Sequence, residues 1–454
     1  MINHFFLDID SDPQKKIARK WLALAVASLL AAGVFSLLLV LSRTPGVQSI
    51  IPWVDFFHVA LVVHVDLSVL IWFLAMAGVF WTLSNPNSGG LLDKSAWSLS
   101  ALGALMMVAS PFFGVGDPLM NNYVPVLQHP VYYLALGVFG AGIFLLLWGR
   151  LRHLPKLPYD GKSALIFACY LAAIPALLSI IALIWSYSLI PEVHQGEYYF
   201  ELLFWGGGHT LQFTHTLLLL VAWLWLANAC GAKFSQQPSI IGGLCVLVIL
   251  PIVLVPWIYT TVPIDSIEHR LNFTKLMQYG GLACLPLGLL AVIQLFRMDK
   301  AKAEQKPLKS ALIASFILFS AGGIIGFLIE GVNVVIPAHY HGSIVGVTLS
   351  FMGIAYLLMP KLGMGVPNVR LAQIQPYVYG GGQLMHILGL AWSGGYGVQR
   401  KTAGAAQGLD RLPEILGMGM MGLGGLISTI GGLLFLIVII KAWRIKSKQD
   451  SDTV

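Results

Sequence analysis

Only 10% of the 454 residues are charged, against 57% that are hydrophobic. A chain so poor in charge cannot clothe a soluble globule in a polar shell. Cysteine is just as scarce. Cys169, Cys230, Cys245 and Cys284 lie in or beside apolar stretches, with no CxxC pair and no extracellular cluster. That spacing excludes a disulfide framework or a thiolate zinc site and leaves packing residues. Low-complexity linkers and clear internal repeats are missing too. The N-terminal segment "MINHFFLDIDSDPQKKIARK" has three acids and no cleavage site before the first apolar run, so that run reads as a retained helix and not a signal peptide.

What the sequence has instead is apolar length. Runs near 21–42, 56–83, 97–116, 130–149, 163–189, 203–229, 240–262, 276–296, 310–329, 338–360, 373–392 and 415–440 approach the roughly 20 residues a helix needs to cross hydrocarbon. The expectation is an all-α integral membrane protein of twelve transmembrane helices. It forms a single polytopic membrane domain over 1–454, with a cytoplasmic N-terminal segment at 1–20 and a cytoplasmic tail at 441–454. With both termini inside, 21 of the 27 Lys and Arg residues fall in cytoplasmic segments, as the positive-inside rule requires. The net charge of +7 is therefore a topology signal. It does not point to a nucleic-acid partner; the partner it implies is the lipid bilayer.

This orientation fixes the depth of the histidines. His64 lies about eight residues into the second span, or roughly 12 Å. His209 is about six residues into the sixth, and His339 and His341 open the tenth. All four reach one level, in the outer third of the membrane. Ionisable residues there are costly and default to function, although a lone imidazole also serves as a helix–helix hydrogen-bonder. His339 and His341 point about 200° apart on one helix, so they cannot share a metal. They would serve two cofactors on opposite sides, and imidazole is the usual protein ligand of haem iron. His215, about 240° round the helix from His209, faces another neighbour. Acids inside the membrane or at its outer edge are Asp66, Glu201 and Glu330, with none in the inner half. That distribution favours proton uptake from outside, or a route of hydroxyls such as Thr214, Thr216, Thr348 and Ser350.

At these residues the chain resembles the catalytic subunit I of the haem-copper oxidase and nitric oxide reductase superfamily, over nearly its whole length in helix number and order. "VVHVDLSVLIWFLAMAG" resembles the family's second helix, and "PAHYHGSIVGVTLSFMGIAYLLMPKLG" its tenth. The resemblance implies that His64 and His341 ligate a low-spin haem and that His339 is the proximal ligand of a high-spin haem. "LFWGGGHTLQF" is similar to the sixth helix, whose histidine, matching His209, binds a second metal. "HILGLA", followed by Arg400 and Lys401, resembles the end of the eleventh helix and the basic pair that meets haem propionates, a charge-assisted role. His386 matches no family ligand and reads as a packing or hydrogen-bonding residue.

The pattern breaks at the second metal. The family's adjacent histidines at the end of the seventh helix are replaced by Ile258 and Tyr259, and the tyrosine four residues after the sixth-helix histidine by Phe213. Three readings stay open. His209 could be joined by Glu201, Gln212, Asp265, Glu268 or His269 around copper or, with mixed carboxylate and imidazole donors, non-haem iron. The second metal could be absent, leaving the high-spin haem to act alone. The chain could also be a degenerate relative that only passes electrons. His269, set between Glu268 and Arg270, reads equally well as a surface loop residue.

The expected function is a respiratory oxidoreductase of the bacterial cytoplasmic membrane that reduces dioxygen or nitric oxide, with His339 and His209 at the reacting centre. No c-haem attachment motif or dinuclear-copper domain occurs in the chain, so family membership implies a separate electron-donating subunit, a membrane-anchored c-type cytochrome or a cupredoxin. A secondary transporter, which would show repeats and midplane polar groups, fits less well.

Overall fold

In hydrocarbon every backbone N–H and C=O must be satisfied within the protein, and a helix does this by itself. The computed structural model follows that rule. It describes residues 3–42, 56–114, 116–298, 300–400 and 408–451. Among them, eleven helices are long and apolar enough to cross a membrane. The remaining expected span, 373–392, falls in the 26-residue helix Val369–Gly394. That is long enough to cross at about 1.5 Å per residue, but Gln373, Gln375, Gln383 and His386 dilute its apolarity. The protein is an all-α, multi-pass integral membrane protein.

In chain order the helices are α1 (Asp12–Ser42), α2 (Phe56–Val65), α3 (Trp72–Leu83), α4 (Leu91–Ala109), α5 (Pro130–Leu151), α6 (Gly161–Leu189), α7 (Gly196–Ala229) and α8 (Pro238–Ile249), followed by α9 (Leu254–Thr261), α10 (Ile267–Gly280), α11 (Leu285–Arg297), α12 (Lys306–Gly326), α13 (Val335–Lys361), α14 (Val369–Gly394) and α15 (Leu412–Ser451). Three expected spans are not single α-helices. The second carries a π-helical segment, Asp66–Ile71, between α2 and α3. The seventh is interrupted by a 3₁₀ turn, Leu250–Val253, that contains Pro251, which has no N–H to continue the ladder. The eighth is divided by the turn Gly281–Cys284. Its helix also begins nine residues before the apolar run suggests, because the Ser266 side chain accepts the backbone N–H of His269 at 3.0 Å and so caps the N-terminus.

The chain forms two compact units. The first comprises Met1–Val221 and Ser235–Leu287, the second Ala222–Phe234 and Gly288–Val454. In the first, α1 packs on α2 and α3, α4 on α5, and α6 on α8. The segment before α1 is tied down. Phe5 and Leu7 are buried, Lys162 pairs with Asp8 at 3.0 Å and Asp10 at 3.2 Å, and the Gln14 amide donates to the carbonyls of Thr82 and Asn85. Between α4 and α5 a short antiparallel pair, β1 (Pro118–Leu119) and β2 (Val126–Leu127), makes a hairpin. Asn121 Oδ1 accepts from the backbone N–H groups of Tyr123 and Val124, each at 2.9 Å, and fixes the hairpin tip.

In the second unit α12 packs on α13 and α14 on α15, around a core that includes Leu318, Ala338, Val345, Leu349 and Ile387. The region expected as a free C-terminal tail continues α15 as helix to Ser451. Close approach of α14 and α15 needs glycine at 389, where a Cβ would lie 2.5 Å from both Gly417 O and Met421 N. Both contacts are backbone and cannot swing aside. Gly389→Val therefore forces the helices apart, and an overpacked interface costs about 1–3 kcal/mol. Thermal unfolding of the purified variant in detergent should show a lower midpoint than wild type, and an unchanged midpoint would contradict the close packing.

Candidate functional site

His64 occupies the last turn of α2. Its Nδ1 sits 2.8 Å from the carbonyl of Ala32 on α1. A carbonyl can only accept, so Nδ1 carries the proton and the Nε2 lone pair is left free, a tautomer assigned from the bonding network. The ring is half-buried, and beside Ala32 a Cβ on Gly33 would meet nothing within 4 Å. Two residues on, in the π-helical segment, the buried Asp66 carboxyl accepts from Tyr132 through one oxygen while the other has no partner among the described residues. π-Helical segments tend to sit at functional sites, and this one turns the chain immediately after His64.

His339 repeats the arrangement in the second unit. It lies in the first turns of α13, and its Nδ1 is 2.7 Å from the carbonyl of Gly322 on α12. Gly326 gives the ring room, since a Cβ there would lie 2.6 Å from Nδ1. His341 is also half-buried, and its ring lies 5.0 Å from that of Tyr340 and 5.1 Å from that of His386. Arg400 is partly buried and near enough to act electrostatically on Tyr340, which keeps it at the His341 end of the unit. A backbone bond from Val334 N to Val398 O, at 3.0 Å, holds that loop to the start of α13. Lys401 lies outside the described residues.

A metal-bound histidine typically donates its other ring N–H to a backbone carbonyl or carboxylate. His64 and His339 both place Nδ1 on a backbone carbonyl, which leaves the in-plane lone pair of Nε2 as the nitrogen able to coordinate.

His209 is the centre of an aromatic box in the first unit. It is 5% exposed, with the rings of Trp205, Tyr123 and Phe273 at 4.5, 5.0 and 5.7 Å. Its Nδ1 lies 2.8 Å from the Trp205 carbonyl and 2.8 Å from the Tyr123 hydroxyl. Gln212 donates to the same hydroxyl at 3.1 Å. Burial, with the Glu201 carboxylate as a second cause, holds the Tyr123 phenol well above its ordinary range, so Tyr123 stays a neutral phenol. The run Gly206–Gly207–Gly208 makes the box possible, because a Cβ on Gly208 would enter the Tyr123 ring and one on Gly206 would meet Tyr259 and Phe273.

Of the second-metal candidates, His269 lies near enough to act electrostatically on His209, and the others are engaged or exposed. Gln212 is spent on Tyr123, and the Glu201 carboxylate accepts from the backbone and side-chain amides of Asn122. Asp265 pairs with His194 Nε2 at 3.0 Å, and Glu268 is exposed. Where the family's copper histidines would stand, Ile258 is buried and the Tyr259 hydroxyl bonds Ser186 at 2.7 Å and the Ala182 carbonyl at 3.1 Å. Among the described residues no three of His, Cys, Asp and Glu come together to hold an ion. A three-imidazole copper centre does not fit this donor set.

The surface reading of His269 is corrected. It is 1% exposed, against Tyr259 at 5.2 Å and Phe273 at 5.1 Å, and neither ring nitrogen has a hydrogen-bond partner among the described residues. His215 faces a different neighbour from His209, meeting Phe73 edge-on at 5.0 Å. Sequence reasoning passed over Tyr123, which lies 86 residues from His209 in the chain, and His194.

Residues 16–434 match the model of the family described as cytochrome c and quinol oxidase polypeptide I. An uncharacterised protein of Rickettsia prowazekii (strain Madrid E) is 29% identical over 500 residues, covering 93% of this chain and 95% of that protein. One of Aquifex aeolicus (strain VF5) is 28% identical over 354 residues, covering 76% of this chain and 84% of its own. Among solved structures, a cryo-EM structure of a heme-copper terminal oxidase dimer superposes with a TM-score of 0.68 at 16% identity, covering 95% of this chain and 84% of the other. At that identity the likeness concerns the fold.

The His194–Asp265 pair joins the turns before α7 and α10. The hydrogen bond from His194 is the main cause holding the Asp265 carboxyl below its usual range. A carboxylate whose pKa is lowered by folding stabilises fully above its unfolded pKa, and the effect fades as pH falls through the lowered value. Asp265→Asn should cost up to about 1 kcal/mol at neutral pH, since the pair is partly exposed. The difference from wild type should close in acid; unfolding midpoints across pH would check this, and a pH-independent difference would contradict it.

Proposed function

Taking as premise that this chain belongs to the family of cytochrome c and quinol oxidase polypeptide I, we propose that it is a respiratory membrane oxidoreductase that passes electrons through a low-spin haem to a high-spin haem, where dioxygen or nitric oxide is reduced. His64 and His341 are the axial ligands of the first haem, a pairing that rests on the family resemblance, and His339 is the proximal ligand of the second. The reading is supported above all by the Nδ1–carbonyl bonds at His64 and His339, at 2.8 and 2.7 Å, which free Nε2 for iron. Haem supplies the redox chemistry when bound. The chain's residues hold it, orient it and exclude water, and Arg400, with Lys401 beside it in sequence, supplies cations for the propionates.

No role is assigned to a second metal. His209 serves as a neutral, fixed imidazole in its aromatic box. The lack of a copper-site histidine pair, with Ile258 and Tyr259 in its place, and Phe213 at the family's tyrosine position, weighs toward nitric oxide over dioxygen. Electrons come from a separate membrane-anchored c-type cytochrome or cupredoxin subunit in the bacterial cytoplasmic membrane.

The test is the optical spectrum of the dithionite-reduced protein with and without carbon monoxide. About half of the haem, the share with an open axial position, should shift in wild type and none in His339→Ala. His64→Ala should lose the low-spin bands and keep the carbon monoxide response. A wild-type spectrum that carbon monoxide leaves unchanged would contradict turnover at His339 and leave an electron carrier.

A further inference from the structure

His386 is a fourth imidazole built like the ligands, and the family pattern gives it no task. It sits on α14, half-buried, with Nδ1 2.9 Å from the Met421 carbonyl of α15. That bond needs α15 to lie flush against α14. Gly424 allows it, because a Cβ there would lie 2.9 Å from the His386 Cα, and at Gly425 a Cβ would come within 3.4 Å of Nδ1. The result is a ring pinned in one tautomer by a backbone acceptor. Its neighbour is the His341 ring, with centroids 5.1 Å apart and planes at 65°.

An edge-to-face pair is the arrangement aromatic rings prefer, and it fixes the rotation of one ring about its side-chain axis relative to the other. His341 stands on α13 and His386 on α14, helices that pack together around a core including Ala338, Val345 and Ile387. The backbone of α15 sets His386, and His386 in turn limits the plane His341 can adopt. We propose that His386 is a positioning residue that sets the plane of the His341 imidazole, and through it the electronic structure of the haem His341 binds. Neighbours of a metal-binding histidine tune the metal by orienting the ring. The inference rests on the proposed role of His341 as an axial ligand.

The experiment uses the full chain purified with its haem and compares wild type, His386→Leu, His386→Phe and His341→Ala. The readouts are haem content, the low-spin ferric EPR signal and the midpoint potential. His386→Leu removes the ring and should shift the largest g value and the midpoint potential, with haem content and the carbon monoxide response unchanged. His386→Phe keeps a ring edge but loses the Nδ1 that Met421 fixes, and should restore only part of the wild-type signal. Identical g values and potential in His386→Leu would overturn the proposal. Loss of the low-spin haem in that variant would overturn it as well, by making His386 a ligand. His341→Ala keeps the two readings apart: a low-spin signal that survives there means the ligand assignment itself has failed, whatever His386 does.

Discussion

Histidines in both units share one kind of hydrogen bond, from a ring Nδ1–H to a backbone carbonyl of a neighbouring turn or helix. A free imidazole exchanges its proton between two nitrogens, and a ring that rotates offers a metal nothing definite. Once a carbonyl takes the Nδ1 proton, Nε2 must carry the lone pair and the ring plane is fixed. Ala32, Trp205, Gly322 and Met421 provide those carbonyls to His64, His209, His339 and His386. Helical carbonyls are normally spent on their own ladder, so each has to be reached at its second lone pair. That requires tight helix contacts, and small residues allow them. The glycines at 322, 326, 389 and 424 thus serve the chemistry as much as the packing.

Desolvation decides how the rest of the site behaves. His209 is 5% exposed, packed against the rings of Trp205, Tyr123 and Phe273. The neutral ring is the form that can coordinate iron or accept a hydrogen bond. Around it several polar groups are already engaged: the Tyr259 hydroxyl is committed to Ser186 and Ala182, and Glu201 accepts from Asn122. His269 is the exception, a buried ring with both nitrogens unpartnered among the described residues where such groups are normally satisfied. Its presence beside Tyr259 and Phe273 keeps polar capacity in a wall that is otherwise apolar.

Most of the span count was legible because the bilayer leaves the backbone no alternative to helix, and among the described residues each of the twelve apolar runs is largely helical, eleven of them long and apolar enough to cross. Breaks inside spans were less visible. Pro251 marks one of them, yet a proline in an apolar run reads equally well as a tolerated kink. The start of α10 was hidden because "IEHRLNFTK" is polar, and the Ser266 cap that begins it is a local signal that hydropathy ignores. The hidden start of α10 is why the surface reading of His269 stood beside the metal-ligand reading. Helical depth did bring out His64, His209, His339 and His341. The partners of these rings could not be read, since Tyr123 and Met421 lie 86 and 35 residues from the imidazoles they meet. Nor was His386, whose pairing with His341 depends on how α14 rotates against α13.

The central claim is that His64 and His339, each fixed by a backbone carbonyl, together with His341 hold two haems in different ligand fields. The most direct measurement is an EPR spectrum of the oxidised, purified protein with a haem count per chain. The account predicts two haems, with one low-spin ferric signal of the bis-imidazole type and one high-spin signal. A protein that purifies without haem, or with a single low-spin species, would contradict it.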